Sequence, residues 1–478
     1  MSDCIFCKII DNHDKANIIY ENEWVIAFLD ANPVNKGHIL VVPKIHAEHL
    51  TDLNVEILGY TMTAVQKIMN AQMEQPGVDG INVMQNNYEA AGQVVPHVHF
   101  HLIPRKSGDN SIYLKNDFYK ENEAFTIGNG IKKSIHKNIL VCGGAGFIGS
   151  NFIRYRLNND PDCKIVNFDK LTYAGNLDNL HDVVQDSRYV FVQGDITDLE
   201  SLNKAIKEHD ITHIINFAAE THVDRSIHGG SRDFVLTNSL GVQMILDAVR
   251  MNNIKKYVQV STDEVFGALE LNSKEKFKEN TPIMPNMPYA AAKAGGDLMC
   301  NAYFVTHKVP VVVTHCSNNY GPYQFPEKVI PSFIFRLSSN EKVPIYGDGK
   351  NVRDWIHVND HASALSLLLD RGEPGQVYNI GSDNERDNLE LTRMLLNHFN
   401  LSDDMIEFVE DRKGHDRRYA IDSSKIEALG WRPVYTREKF AEGMKQTIEW
   451  YLSNPEWVQK LRDRKAEWDE KALRSDKK

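Results

Sequence analysis

The chain has 478 residues, 42% apolar and 25% charged, enough to bury the cores of two or three domains. Its formal charge of −11 argues against a nucleic-acid backbone as partner, and no apolar run is long enough to span a bilayer or to follow a basic leader. Six cysteines, scattered apart from Cys4-x-x-Cys7, fit a reducing cytoplasm better than a disulfide scaffold.

Residues 1–108 read as a small α+β domain. Strands are expected at Trp24–Leu29, His38–Pro43, Ile81–Gln85 and Val98–Ile103, with a helix over 52–75. In His97-Val-His-Phe-His-Leu-Ile103, alternation puts His97, His99 and His101 on one strand face and Val98, Phe100 and Leu102 on the other. Three imidazoles on one face point to a metal, an anion or one another. This run resembles the histidine-triad family of nucleotide hydrolases and transferases, as do Cys4-Ile-Phe-Cys7, Phe28-Leu-Asp30, Gly37-His38 and Pro43-Lys-Ile-His46. The resemblance implies that His99 attacks an α-phosphorus, that Asp30 holds ribose hydroxyls, and that Asn86 and Gln93 sit near the phosphate. It also implies zinc held by Cys4, Cys7, His46 and His97, a ligand set suited to a tetrahedral ion; a free thiol pair is the alternative. Val94 stands just after Gly92-Gln93, where many relatives place a hydroxyl that helps the leaving group. The resemblance implies a nucleotide phosphoramidase or hydrolase; a non-catalytic nucleotide-binding or dimerising module is the alternative. Residues 109–136 mix charge, Gly and Asn without a sustained period and are expected to be a linker.

From 137 the pattern becomes strand–helix alternation, which predicts a doubly wound Rossmann sheet. Asn138–Cys142 is a buried strand by composition, and it runs into Gly143-x-x-Gly146-x-x-Gly149 and an amphipathic helix. Such glycines let backbone approach a pyrophosphate at a helix N-terminus. The next strand ends in Asp169, 20 residues after Gly149, an acid that can take a ribose 2′-hydroxyl and would repel a 2′-phosphate, so NAD is favoured over NADP. Later strands end in Gly194-Asp195-Ile196 and in Asn216-Phe-Ala-Ala-Glu-Thr-His222. Val258–Val265 carries Thr262-Asp263-Glu264 off a strand end, and Tyr289 and Lys293 are spaced to share a helix face. A lysine ammonium beside a tyrosine favours the phenolate, making a base for a sugar hydroxyl.

With Ser-Thr-Asp-Glu-Val-Phe-Gly (261–267), Asn-Asn-Tyr-Gly-Pro-Tyr (318–323), Arg-Asp-Trp (353–355) and Asp-Arg-Lys-Gly-His (411–415), residues 137–455 resemble the extended short-chain dehydrogenase/reductases, and among them the 4,6-dehydratases of dTDP-glucose. The resemblance implies NAD contacts from Gly143, Gly146, Phe147, Ile148, Gly149, Asp169, Lys170, Leu171 and Thr172. Further contacts would come from Asp195, Ile196, Ala218, Ala219, Glu220, Thr221, His222, Thr237 and Asn319. It assigns the chemistry to Thr262, Asp263, Glu264, Tyr289 and Lys293. The nucleotide diphosphate falls to Asn318, Glu327, Lys328, Arg336, Arg353, Asn388, Arg412 and His415. A homodimer or higher assembly is implied for both halves. A UDP- or CDP-sugar dehydratase, or an epimerase, is the alternative. The expected architecture is α/β: an α+β histidine-triad domain, then a Rossmann sheet with a smaller C-terminal substrate-binding subdomain, then a polar tail over 456–478.

Overall fold

The computed structural model describes residues 4–12, 16–109, 118–228, 230–411 and 414–464. The chain divides between Lys137 and Asn138 into two compact units.

The first unit is an antiparallel sheet ordered β1-β2-β3-β5-β4, with β1 Ile18–Glu21, β2 Val25–Leu29, β3 Ile39–Pro43, β4 Gly80–Met84 and β5 Phe100–Arg105. Alternate residues of these strands face opposite cores. Val25, Ala27, Val41, Val98, Phe100 and Leu102 pack with Ile57, Val65 and Ile68 of the helix Val55–Met73. Ile26, Phe28, Leu40 and Val42 pack with Phe6 of the helix Ile5–Asp11 on the other side.

The expectation of a linker over 109–136 is corrected here. Glu123–Ile135 is a helix, and its Ile131 and Ile135 are buried in the first unit's core. Gly128, Asn129 and Gly130 lower its helix propensity and disguise the Ile127–Ile131–Ile135 stripe. Gly128 is one of the residues that hid it. A Cβ there would lie 3.1 Å from the Ile19 side chain, so glycine lets the helix sit close on β1.

The second unit is built on a parallel sheet ordered β15-β11-β10-β9-β6-β7-β8. Its strands are β6 Lys137–Cys142, β7 Cys163–Asp169, β8 Tyr189–Gln193, β9 His213–Asn216, β10 Lys256–Thr262, β11 Val311–Cys316 and β15 Val377–Ile380. Ile139 and Val141 of β6 face one core, shared with the helices Phe147–Asn159 and Val358–Arg371. Leu140 and Cys142 face the other, shared with the helices Leu199–Glu208 and Val242–Met251. Both faces are covered, which is why the strands read as continuous apolar runs. Two small sheets, β12-β14-β16 (Asn318–Tyr320, Val352–His357, Glu385–Asp387) and β13-β17 (Val343–Tyr346, Ile406–Val409), lie toward the C-terminal half with a core of their own.

The tail is also corrected. Residues 455–464 are helical and bury Trp457, Val458 and Leu461 in that third core. Three apolar residues on one face of a charged helix are enough to dock it. Residues 465–478 lie outside the described residues. Among the described residues, no helix is long and apolar enough to cross a membrane.

Candidate active site

The carboxyl ends of β6, β7, β9 and β10 carry the polar residues of the second unit, where α/β sheets present ligand sites. At the end of β6, Gly143 has φ +76°, and a Cβ on it would lie 2.5 Å from the Ala218 nitrogen. A Cβ on Gly149 would lie 2.3 Å from the Gly143 carbonyl oxygen. Only glycines allow the turn to press on both β9's extension and its own helix. Gly146 is the N-cap of Phe147–Asn159, and no side chain caps that end, leaving its first turn, Phe147 and Ile148 included, to offer backbone N–H groups.

Asp169 ends β7. Its Oδ2 accepts from the Ala145 N–H at 2.9 Å and its Oδ1 from Leu171 at 2.7 Å, fixing the carboxyl beside the glycine turn. Burial pushes its pKa up, and these two donors oppose the shift. Lys170 pairs with Asp195 at 2.6 Å, and Leu171 takes φ 58° to turn the chain, ahead of Thr172. Beyond β9, Ala218 and Ala219 lead to Glu220, whose N–H donates to Asn238 at 2.9 Å. His222 and Glu327 meet at 3.3 Å, and Lys328 donates to the Thr221 carbonyl at 3.1 Å, so Glu327 and Lys328, assigned to the nucleotide, sit against residues assigned to the cofactor. Thr237 lies in the π-turn Leu236–Gly241, which packs on the helix Pro288–His307. Ile196 is buried. Asn319 is buried with its amide committed to Ser317 and His361. The glycine cradle, the uncapped helix and Asp169 together fit a dinucleotide.

Thr262 ends β10 and caps a short turn, Asp263–Phe266, by accepting from the Glu264 N–H at 3.3 Å. This capping delivers Asp263 and Glu264 side by side. Asp263 is 2% exposed, and among the described residues its Oδ2 has no hydrogen-bond partner. Burial, then Glu264, pushes it well above the usual carboxylate range. Pro288 opens the next helix at a position where its missing N–H does no harm, and Tyr289 and Lys293 follow on one face.

The expected lysine-assisted phenolate is not what the described residues present. Burial, then Glu264, pushes the Tyr289 phenol well above its ordinary value, and a hydrogen bond from Thr262 opposes this. The Lys293 ammonium instead donates to the Val260 carbonyl at 2.6 Å.

The remaining nucleotide candidates are spread out. Arg353 stacks over the Tyr419 ring at 4.3 Å and donates to the Asp416 carbonyl at 3.0 Å. His415 pairs with Asp411 at 2.6 Å, and the Asn388 N–H donates to the Asn351 carbonyl at 3.2 Å. Lys328 caps one end of the helix Val329–Ser338 and Arg336 lies near the other, about 12 Å along its axis, so the two would meet different parts of a nucleotide. Asn318 sits on β12, and Arg412 lies outside the described residues. Sequence reading missed Tyr419, which seats Arg353, and Arg225, which faces Glu220 at 3.5 Å and stacks over Tyr173. Each is visible in the sequence only as a single charged or aromatic residue.

In the first unit, Cys4 and Cys7 at the start of the first helix converge with His46 and His97 from two other segments. Cys4 Sγ lies 3.4 Å from His97 Nδ1, Cys7 Sγ lies 3.3 Å from His46 Nδ1 and 3.6 Å from His97 Nδ1, and the two Nδ1 atoms are 3.3 Å apart. His97 Nε2 must donate to the Pro43 carbonyl at 2.9 Å, which leaves Nδ1 with its lone pair turned to the cluster. His99 Nδ1 likewise donates to the His97 carbonyl at 2.7 Å, so Nε2 is the free base. Burial lowers the proton affinity of His99 and of His101, the latter to about 4. His38 links His101 at 2.9 Å to Asp30 at 3.4 Å. Asn86 precedes a loop in which the Gln93 amide is committed to Tyr88, Glu48 and Val95, so Gln93 braces the loop. Val94 is 89% exposed.

Fold and site together define an extended short-chain dehydrogenase/reductase joined to a histidine-triad domain. Residues 140–447 match the family described as GDP-mannose 4,6 dehydratase, and residues 12–108 match the HIT domain. The chain belongs to the nucleotide-sugar 4,6-dehydratase family. It is similar to the dTDP-glucose 4,6-dehydratase of an Actinoplanes species, at 49% identity over 67% of this chain and 99% of that one. It is equally similar, at 49% identity over 67% of this chain and all of the other, to the low-salt glycan biosynthesis protein Agl12 of Haloferax volcanii. The crystal structure of the Bacillus anthracis dTDP-glucose 4,6-dehydratase in complex with NAD aligns at 46% identity and a TM-score of 0.63, covering 68% of this chain and 99% of that one.

Proposed function

We propose that the second unit dehydrates dTDP-glucose to the 4-keto-6-deoxy sugar nucleotide with a retained NAD. The observation that carries this is the pair Asp263 and Glu264, delivered by Thr262 beside Tyr289, with burial favouring the protonated form of Asp263. Gly143, Gly146, Gly149 and Asp169 would hold NAD, with the other cofactor candidates named above around it. Bound there, NAD would supply a hydride acceptor that is restored within each turnover. Tyr289, ionised to its phenolate, takes the proton of the sugar 4-hydroxyl, and the Thr262 hydroxyl orients that group. Glu264 takes the proton from C5, acidified by the neighbouring ketone. Asp263 gives its proton to the departing 6-hydroxyl, which leaves as water. Two adjacent carboxyls thus act as base and acid because their surroundings differ. Arg353, seated on Tyr419, and Lys328 would hold the diphosphate, as arginine and lysine do. Proton NMR of purified protein with dTDP-glucose should show the 6-deoxy methyl doublet over many turnovers without added NAD; dTDP-galactose as product would refute the reading. A homodimer through the helices Val242–Met251 and Pro288–His307, which expose Met251, Leu298 and Val305, fits this unit and is checked by sedimentation.

For the first unit we propose nucleotidyl transfer to water through His99, whose Nε2 is the free nucleophilic nitrogen, with Asp30 and Asn86 on the nucleotide and His101 oriented through His38. We further propose that Cys4, Cys7, His46 and His97 hold zinc. A tetrahedral ion at ordinary bond lengths has N–N edges of about 3.3 Å and N–S edges of about 3.6 Å, close to the spacings found here. Metal analysis should find about one zinc per chain, and Cys4→Ser should abolish it and lower the melting temperature of the first unit. A metal-free native chain that melts no lower would refute the zinc site and leave the His99 reading intact.

A further inference from the structure

Asp297 lies one helical turn beyond Lys293 on the helix Pro288–His307 and is 5% exposed. Its Oδ2 accepts from Ser261 Oγ at 2.7 Å and from His315 Nε2 at 3.2 Å. Ser261 precedes Thr262 on β10, and His315 is its register partner on β11. One carboxylate therefore ties the helix bearing Tyr289 and Lys293 to the ends of two strands, one of which delivers Thr262, Asp263 and Glu264.

Lys293 needs such a neighbour. It is 5% exposed, and its ammonium donates to one backbone carbonyl, poor compensation for a buried charge. Burial pulls its proton affinity down, and the groups acting against that are Asp297, Cys316 and Cys300. Both thiols are themselves pushed up by burial, Cys316 to about 12, so they stay neutral and Asp297 supplies the negative charge. Asp297 in turn faces His315, Ser261, Cys300 and Tyr257.

We propose that Asp297 is a positioning residue of the dehydration, its carboxylate keeping Lys293 an ammonium while holding the Thr262 strand end against the Tyr289 helix. This rests on the reading of Tyr289 and Lys293 as reaction base and support. The sign follows from the charge. With a neutral side chain at 297, burial acts on Lys293 unopposed, and the ammonium loses its proton at lower pH. The alkaline limb of the kcat profile then moves down, by about 1 to 3 pH units for a neighbouring carboxylate.

The test uses the full chain labelled with ¹³C,¹⁵N-lysine, the Lys293 signal being assigned with Lys293→Arg. Native protein, Asp297→Asn and Asp297→Glu are titrated by NMR and assayed for kcat against pH, with Asp297→Ser as the neutral variant should the Asn chain not fold. The neutral variant is expected to titrate Lys293 at lower pH and to show the same displacement of its alkaline limb. Asp297→Glu, which keeps the charge, retains the native limb. An unmoved Lys293 titration, or lost activity with an unmoved limb and a lower melting temperature, would overturn the proposal and leave Asp297 a packing residue. A native chain that forms no 6-deoxy product while Lys293 still titrates lower in the Asn variant defeats the dehydratase reading alone.

Discussion

Asp263→Asn and Glu264→Gln are each expected to lower dehydration by about 10²- to 10⁴-fold, the usual range for a lost general acid or base, while the sugar is still oxidised at C4. Both carboxyls act after the 4-hydroxyl has given up its hydrogen. Their loss strands the reaction with reduced nicotinamide, visible as absorbance when excess substrate is mixed with enzyme. Asp263→Asn keeps the shape of a protonated, buried carboxyl, so the chain should fold normally; Asn lacks only the acidic proton. Tyr289→Phe acts earlier. It removes the group that takes the 4-hydroxyl proton, so no such absorbance should develop. If Tyr289→Phe builds up reduced cofactor as the carboxylate variants do, the order of roles is wrong.

His99→Ala should abolish hydrolysis of an adenosine phosphoramidate by the first unit, a fall of about 10³-fold or more for a lost nucleophile. The geometry makes the variant specific: His99 spends Nδ1 on the His97 carbonyl and is not one of the four converging metal donors. Zinc content should therefore be unchanged. Equal rates in native and variant chains, or no hydrolysis and no nucleotide binding by either, would leave the first unit as a non-catalytic module. Native turnover is expected to be slow, because Val94 presents a hydrocarbon where a hydroxyl could help the leaving group.

What could be read in advance was whatever short-range spacing decides. Tyr289 and Lys293 share a helix face because four residues make about one turn, and Gly143 through Gly149 mark a turn that excludes side chains. The alternation at 97–103 likewise sends Val98, Phe100 and Leu102 to the core. Elements whose identity depends on distant partners were hidden. Glu123–Ile135 is a helix because β1 and a longer helix offer it an apolar seat, in spite of two glycines and an asparagine. Residues 455–464 were mistaken for solvent-facing tail for the same reason. The proton affinity of Tyr289 could not be read from Tyr-x-x-x-Lys at all, since burial and Glu264 push the phenol up while Lys293 turns to the Val260 carbonyl. Asp297 escaped notice because its partners, Ser261 and His315, are supplied by other strands.

The helix over 455–464 has a consequence for how each new molecule is completed. Trp457 Nε1 donates to Asn179 at 2.9 Å, Lys460 pairs with Asp178 at 3.1 Å, and Arg464 reaches the Thr172 carbonyl at 3.3 Å. All three anchors are in the segment that follows Asp169. A chain emerging from the ribosome makes the glycine turn and Asp169 first and this brace only after every strand of the parallel sheet. The segment after Asp169 is thus braced only once Trp457 to Arg464 have been made, and a chain interrupted before Trp457 carries the glycine turn and the Thr262-Asp263-Glu264 set without that brace.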